Sequence, residues 1–280
     1  MIQGDYLTLS EKIVYPPRKK KDEYVMKLWY GRPIPFVKEQ EYFTSLLEKN
    51  INAVAREGTM VDVHCLKTGY LAPTYTWTES YNAVEGIKRY YEAWKKGYDG
   101  VIIGCAHDPG LMEARSLIDI PVAGVFQSAV LIASSLGKMF SVVTVHKSSK
   151  AAQIDKIKEY GLADKLASVR ILNITPTEMA ESYVADPSKL IDAFSEVAAK
   201  AAREDDAEAI VPGCTVLSTI LTTQKLFEVE KVPIIDPVFA GVKMAETLVD
   251  LKNAFGIGVC RASIFKPPPA GWEKQVPLEF

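Results

Sequence analysis

The sequence carries no strong excess of either charge: 33 Lys and Arg stand against 35 Asp and Glu, a formal net charge of −2. That removes the electrostatic case for nucleic acid or an anionic membrane surface as a partner. No uninterrupted apolar run approaches the roughly 20 residues of a bilayer span. The opening stretch, MIQGDYLTLSEKIVYPP, has no basic segment leading into an apolar core, so no secretion signal is expected and a cytoplasmic location is. Cysteine is scarce and dispersed: Cys65, Cys105, Cys214 and Cys260 form no Cys-x-x-Cys pair, against a structural zinc site. In a reducing compartment they are free thiols. The three histidines, His64, His107 and His146, have no carboxylate or cysteine at ligand spacing. No metal and no cofactor is expected.

What is present is a globular composition, 48% hydrophobic and 24% charged over 280 residues, enough for one large domain or two small ones with cores of their own. Short Ile/Val-rich runs alternate with stretches of helical spacing, which argues for parallel sheets covered by helices. Strands are expected at 24–30, 61–65, 101–104, 120–125, 140–145, 169–174, 209–211 and 232–235. The first is expected to stop at Gly31-Arg32-Pro33. Helices are expected at 35–56, 80–96, 111–117, 127–136, 150–160, 188–204 and 238–251, several of them ended by glycine. Residues 1–23 read as a surface arm, and the proline-rich end KPPPAGWEKQVPLEF as an extended tail.

Two stretches stand out. GVIIGCAHDPGL, from Gly100, and AIVPGCTVLSTI, from Ala209, each place a cysteine just past the carboxyl end of a buried strand, where open α/β sheets keep their binding crevices. They belong to a longer repeat. IPVAGVFQSAVLIASSL from Ile120 aligns with VPIIDPVFAGVKMAETL from Val232 at an offset of about 112 residues, and the cysteines and the strands near Val63 and Ile171 recur at nearly the same offset. The expected architecture is therefore two similar α/β domains with parallel sheets, related by a pseudo-twofold, with the active site in the cleft between them. Residues 24–122 with 236–280 would form the first domain and 123–235 the second. Such symmetry would bring Cys105 and Cys214 to one cleft.

Two thiols facing one carbon acid can act as base and acid on opposite faces and invert it without a cofactor. A thiol of pKa about 8.5 becomes a usable base once a helix N-terminus draws it towards 7, and both cysteines precede an expected helix. His107, two residues after Cys105, is a candidate to tune the thiolate or touch substrate. Asp108 reads as a turn residue. Arg32 either pairs with a substrate carboxylate or sits on the surface.

Taken with the IPVAGVF… and VPIIDPVF… segments, GVIIGCAHDPGLMEAR and GCT resemble the aspartate/glutamate racemase superfamily, with the closest look to its hydantoin and allantoin racemase branch. There an Asp-Pro-Gly-Leu turn follows the first cysteine, as Asp108–Leu111 does here. The resemblance covers roughly residues 60–250. It implies Cys105 and Cys214 as the catalytic pair, and substrate contacts from backbone N–H groups near Ala106 and Thr215 and from Thr144. The chain departs from the pattern after its first strand, where Trp29-Tyr30-Gly31-Arg32-Pro33 replaces an Asn-Pro-Asn or Asp-Ser-Gly type of segment. It departs again after Cys214, where Thr-Val-Leu-Ser replaces small residues and Gly-Met.

The expected activity is a cofactor-independent racemase or epimerase acting on a small carbon acid, a hydantoin- or allantoin-like ureide or an amino acid. A homo-oligomer is expected. The alternatives are a cis–trans isomerase or a decarboxylase of a small dicarboxylic acid in the same superfamily, or a two-lobed ligand-binding protein without chemistry. A decarboxylase of this kind uses the second cysteine alone, which leaves Cys105 unexplained.

Overall fold

The computed structural model describes residues 25–71, 75–172, 174, 178, 179, 182 and 185–274. The expected arm lies outside the described residues, as does the end of the tail. Two parallel sheets dominate. The first is built from β1 (Met26–Pro35), β2 (Thr59–Leu66), β3 (Gly100–Ile103) and β4 (Val122–Gly124), in the order β2-β1-β3-β4. The second has β5 (Phe140–Thr144), β6 (Leu166–Ile171) and β7 (Ala209–Pro212), in the order β6-β5-β7. A parallel bridge from Ile210 to Ile234 adds a fourth position beside β7. The two orders are the same once the repeat is applied. Register agrees as well: Val101 pairs with Val122 and Ile210 with Ile234, while Gly31 lies opposite Ile103 and Val143 opposite Pro212. The inner strands β3 and β7 are buried along their whole length, which is why they read as continuous apolar runs rather than alternating ones.

The helices are α1 (Glu41–Val54), α2 (Thr76–Lys95), α3 (Leu111–Leu117), α4 (Val125–Leu136), α5 (Lys147–Glu159), α6 (Ser188–Glu204), α7 (Thr215–Thr223) and α8 (Pro237–Phe255). Their packing crosses between the sheets. Helix α4 follows the first sheet, yet its Phe126, Ala129, Val130 and Ala133 share a core with Phe140, Val142 and Val211 of the second. Helix α8 follows the second sheet, yet Val238, Val242, Ala245 and Val249 share a core with Met26, Leu28 and Ile102 of the first. Each buried Val or Leu of this kind contributes about 1.5–3 kcal/mol, so each half depends on a helix grown from the other.

Several expected bounds shift: α1 begins at Glu41 because Pro35 still belongs to β1, α2 begins at Thr76, and β6 spans Leu166–Ile171. Three further expectations need correction. Strand β1 does not stop at Gly31-Arg32-Pro33 but continues to Pro35. Its pairing with β3 ends at Gly31, and only β2 follows it further, so the missing N–H of Pro33 breaks no ladder on the β3 side. The strand expected at 232–235 is reduced to β9 (Val232–Pro233), antiparallel to β8 (Glu228–Val229), and the single bridge at Ile234, because Pro233 has no N–H to offer. The tail from Lys266 is not simply extended: Trp272–Lys274 form a 3-10 turn, and Trp272 packs edge-on against Tyr91. Just before it, Arg261 donates to the carbonyls of Arg115 at 2.7 Å and Ile118 at 2.5 Å, and these contacts strap the segment to the first half. Among the described residues, no helix is long and apolar enough to cross a membrane.

Candidate active site

Strands β3 and β7 end alike. Gly104 N–H donates to Gly31 O at 2.9 Å, Gly213 N–H donates to Val143 O at 2.8 Å, and the next residue in each case is the cysteine. Cys214 is the extended N-cap of α7 (φ −152°, ψ 129°), so its thiol faces the unpaired N–H groups of the first helical turn. Cys105 enters a turn closed by Asp108 N–H on Cys105 O at 2.9 Å. Asp108 has φ +45°, a conformation that aspartate tolerates better than most residues.

The two cysteine loops interlock. Ala106, from the first half, is buried in the second half's core. Thr215, from the second half, has its hydroxyl 3.4 Å from Gly104 O. Val216 packs on the cores of both halves. The amide of Gln153 on α5 donates to Ala106 O at 3.2 Å and to Gly213 O at 2.6 Å. Cys214 is near enough that its charge acts on the Cys105 thiol. Cys105, Ala106, Thr144, Cys214 and Thr215 are thus gathered at one place, where Thr144 lies against the α-carbon of Gly213 and keeps its hydroxyl buried without a hydrogen-bond partner among the described residues.

Helix termini do not lower the thiols on balance. Burial pushes Cys105 above the ordinary cysteine range, and the charges of Glu79, Cys214 and Asp108 add to it, while the His107 N–H works the other way. Burial also raises Cys214, against the N–H groups of Leu217 and Val216. The expected net draw towards 7 is therefore reversed. Desolvation of the charged form outweighs one or two backbone donors, although each residue keeps some exposed surface.

The remaining candidates divide. His107 sits beside Cys105 with Nδ1 2.8 Å from Glu79 Oε1, so α2 fixes its ring. Arg32 is not on the surface. It is 5% exposed, donates to Thr44 Oγ1 at 2.7 Å and Gln40 Oε1 at 2.8 Å, and lies over the Phe43 ring. Asp108 does more than shape a turn. Its two carboxylate oxygens accept from the N–H groups of Phe126 and Gln127 at the start of α4, and Tyr160 donates to it at 2.7 Å. Cys65 and Cys260 are free and lie elsewhere, Cys65 within 3.9 Å of Arg32. No group of three or more potential metal ligands occurs among the described residues.

Sequence reasoning missed Gln153 and the tyrosine floor of the site. Tyr30 and Tyr90 are buried, with the Tyr30 ring against the α-carbon of Gly104 and Tyr90 against that of Gly31. Burial raises both phenols, and Cys105 is among the charges acting on each. Gln153 carried a usable signal: with Ser149 and Ile157 it forms the buried stripe of α5, a polar residue at core spacing.

Comparison with known proteins gives the family. The family model described as Asp/Glu/Hydantoin racemase matches residues 40–245. The hydantoin racemase of Pseudomonas sp. (strain NS671) is 35% identical over 210 residues, covering 74% of this chain and 81% of that protein. The structure of an allantoin racemase from Klebsiella pneumoniae superposes with a TM-score of 0.75 at 27% identity, covering 87% of this chain and 94% of that one. A glutamate racemase from Campylobacter jejuni, at 14% identity and a TM-score of 0.54 over 79% of this chain and 85% of its own, shares the fold alone. The chain, matched over residues 40–245 with both cysteine loops inside the match, belongs to the Asp/Glu/hydantoin racemase family and is an isomerase of the racemase type.

Proposed function

We propose that this enzyme inverts a neutral ureide of the hydantoin or allantoin kind by a cofactor-independent mechanism in which Cys105 and Cys214 exchange the roles of base and acid. The observation that carries the reading is the interlocking of the two cysteine loops, one from each half, around shared hydrogen bonds. With the domain boundaries expected from the repeat, 24–122 with 236–280 and 123–235, the proposed substrate would lie at their junction.

The chemistry follows from the thiols' coupling. Two thiolates side by side would repel, so the pair loses its protons in two separated steps, and the singly ionised form holds one base and one acid. The thiolate removes the α-proton from one face of the substrate, leaving an enolate. The other thiol delivers its proton to the opposite face and becomes the thiolate. Atoms balance, and the enzyme ends with the roles reversed. The enolate oxygen would be held by backbone N–H groups near Ala106 and Thr215, with Thr144 and His107 as further substrate contacts. Arg32 would have to release Gln40 and Thr44 to reach a substrate and is given a structural role.

A neutral substrate is favoured because the side chains acting electrostatically on Cys105 include the carboxylates of Glu79 and Asp108, which a dicarboxylate would oppose. Similarity to a hydantoin racemase and an allantoin racemase supports the same class.

The test uses both enantiomers of several 5-substituted hydantoins, of allantoin, and of aspartate and glutamate, in D2O, with chiral chromatography for inversion and NMR for α-proton exchange. The ureides are expected to turn over and the amino acids are not. Cys105→Ser and Cys214→Ser should each reduce inversion about 1,000-fold, within the range of a lost general acid or base, and each should keep exchange for one enantiomer only. Unimpaired turnover in both serine variants rules out the two-thiol mechanism. Turnover confined to aspartate or glutamate rules out the ureide assignment.

A further inference from the structure

Gln153 is fully buried, yet it is polar and stands on the core-facing stripe of α5. The two carbonyls its Nε2 bonds belong to the residue after Cys105 and the residue before Cys214. Because both partners are acceptors, the amide has one possible orientation, NH2 towards them. Its Oε1 is left buried without a hydrogen-bond partner among the described residues, crowded against the α-carbon of Gly213. A methionine would fill the same volume without a buried amide oxygen, but it would take the donor away from the carbonyls of Ala106 and Gly213. What the amide adds is the connection between the loops.

We propose that Gln153 is a positioning residue that clamps the two cysteine loops together and so sets the separation and aim of the two thiols. The inference rests on the two-thiol reading. Direct cross-loop bonding is otherwise thin: the Thr215 hydroxyl reaches Gly104 O at 3.4 Å, a long contact. Inversion needs both thiols in register on opposite faces of one carbon. Exchange of the α-proton with retained configuration needs only one of them. Loosening the clamp therefore separates two reactions that the intact site keeps together.

Gln153→Met matches the volume, and Gln153→Glu keeps the shape while turning a carboxylate towards two carbonyls. In D2O with a hydantoin enantiomer, kcat for inversion is expected to fall about 100-fold in both, as for an ångström-scale misplacement of reacting groups, with KM within about threefold. Exchange with retention is expected to fall less than about tenfold, so the ratio of exchange to inversion rises at least about tenfold. A variant that only softens the fold lowers both reactions together, and an unchanged ratio overturns the proposal. Should wild type invert no ureide, the substrate assignment fails instead, and the clamp is judged without substrate. A two-carbon bis-methanethiosulfonate is used to bridge Cys105 to Cys214, with the yield scored by peptide mass. A yield at least about fivefold lower in both variants supports the clamp on the same ångström-scale argument. A smaller difference, or no bridge in wild type, overturns it.

Discussion

Asp108 and His64 titrate in opposite senses over one pH window. Burial pushes the Asp108 carboxyl up to about 6, even though Tyr160 and the N–H groups of Gln127 and Phe126 donate to it. Its unfolded value is about 3.9. The stability it contributes is complete below that value and is lost as pH rises through 6, roughly 3 kcal/mol in all. His64, stacked 3.4 Å from Trp29, is pushed down to about 4 by burial and then by the Arg89 guanidinium. Its contribution is complete above the unfolded value of about 6.5 and is lost as pH falls through 4, at most roughly 3 kcal/mol because the ring is partly exposed. The two nearly cancel in the intact protein. Urea unfolding at half-unit pH steps should reveal each by its removal. From pH 4 to 6.5, Asp108→Asn should gain on wild type by about 3 kcal/mol, and His64→Phe should lose by up to that amount. Flat differences for both would show that neither group is perturbed as described. Of these two, only the turn at Asp108-Pro109-Gly110 was legible in the sequence. The carboxylate's partners lie 18 to 52 residues away, and no local pattern encodes them.

Helices α4 and α8 occupy equivalent places after their sheets, yet their N-termini are capped differently. Asp236 caps α8 itself, accepting from the N–H of Val238 at 2.7 Å and of Phe239 at 3.3 Å, while Thr222 donates to its other oxygen. The residue equivalent to Asp236 in α4 is Gly124, and the carboxylate there is Asp108, brought in from the Cys105 loop. A Cβ on Gly124 would lie 2.5 Å from the Asp108 carboxyl carbon. The cap has thus become a tether between the Cys105 loop and a helix. Gly124→Ala should expel Asp108 and cost about 2–3 kcal/mol, the sum of a lost cap and modest overpacking, with inversion falling because the Cys105 loop loses its anchor. Asp236→Ala should cost about 1–2 kcal/mol. Equal thermal shifts with full activity in both would sink the tether. This difference also explains what was readable. Asp236-Pro237 is a local start signal, and the sequence places α8 within one residue at that end. Helix α4 has no local carboxylate, and the sequence places its start two residues late. Helices α3 and α6, long in signal or sharply bounded, were legible to the residue.

The repeat made the double sheet legible because buried parallel strands write themselves as apolar runs, and two copies confirm each other. The exchange of α4 and α8 between the cores was harder to read, since an apolar helix face does not name the sheet it covers. That exchange makes the molecule one mechanical unit. The two helices pack on each other, and at their crossing Gly241 of α8 meets Val125 of α4, where an added Cβ would fall 2.7 Å from Val125 Cγ1 and 3.2 Å from Ile102 Cγ2. Neither half can open without uncovering a core of the other, so calorimetry should record one cooperative transition. Gly241→Ala inserts a methyl where backbone and β-branched side chains leave little room. It should destabilise by about 1–3 kcal/mol, lowering the melting temperature by about 2–5 °C for a chain of this size. Because the crossing sets how the halves dock, inversion should fall by more than the folded fraction accounts for, with far-ultraviolet dichroism unchanged. Two resolved transitions in wild type would mean that the halves are independent. A Gly241→Ala protein with native turnover would mean that the crossing does not govern the distance between Cys105 and Cys214.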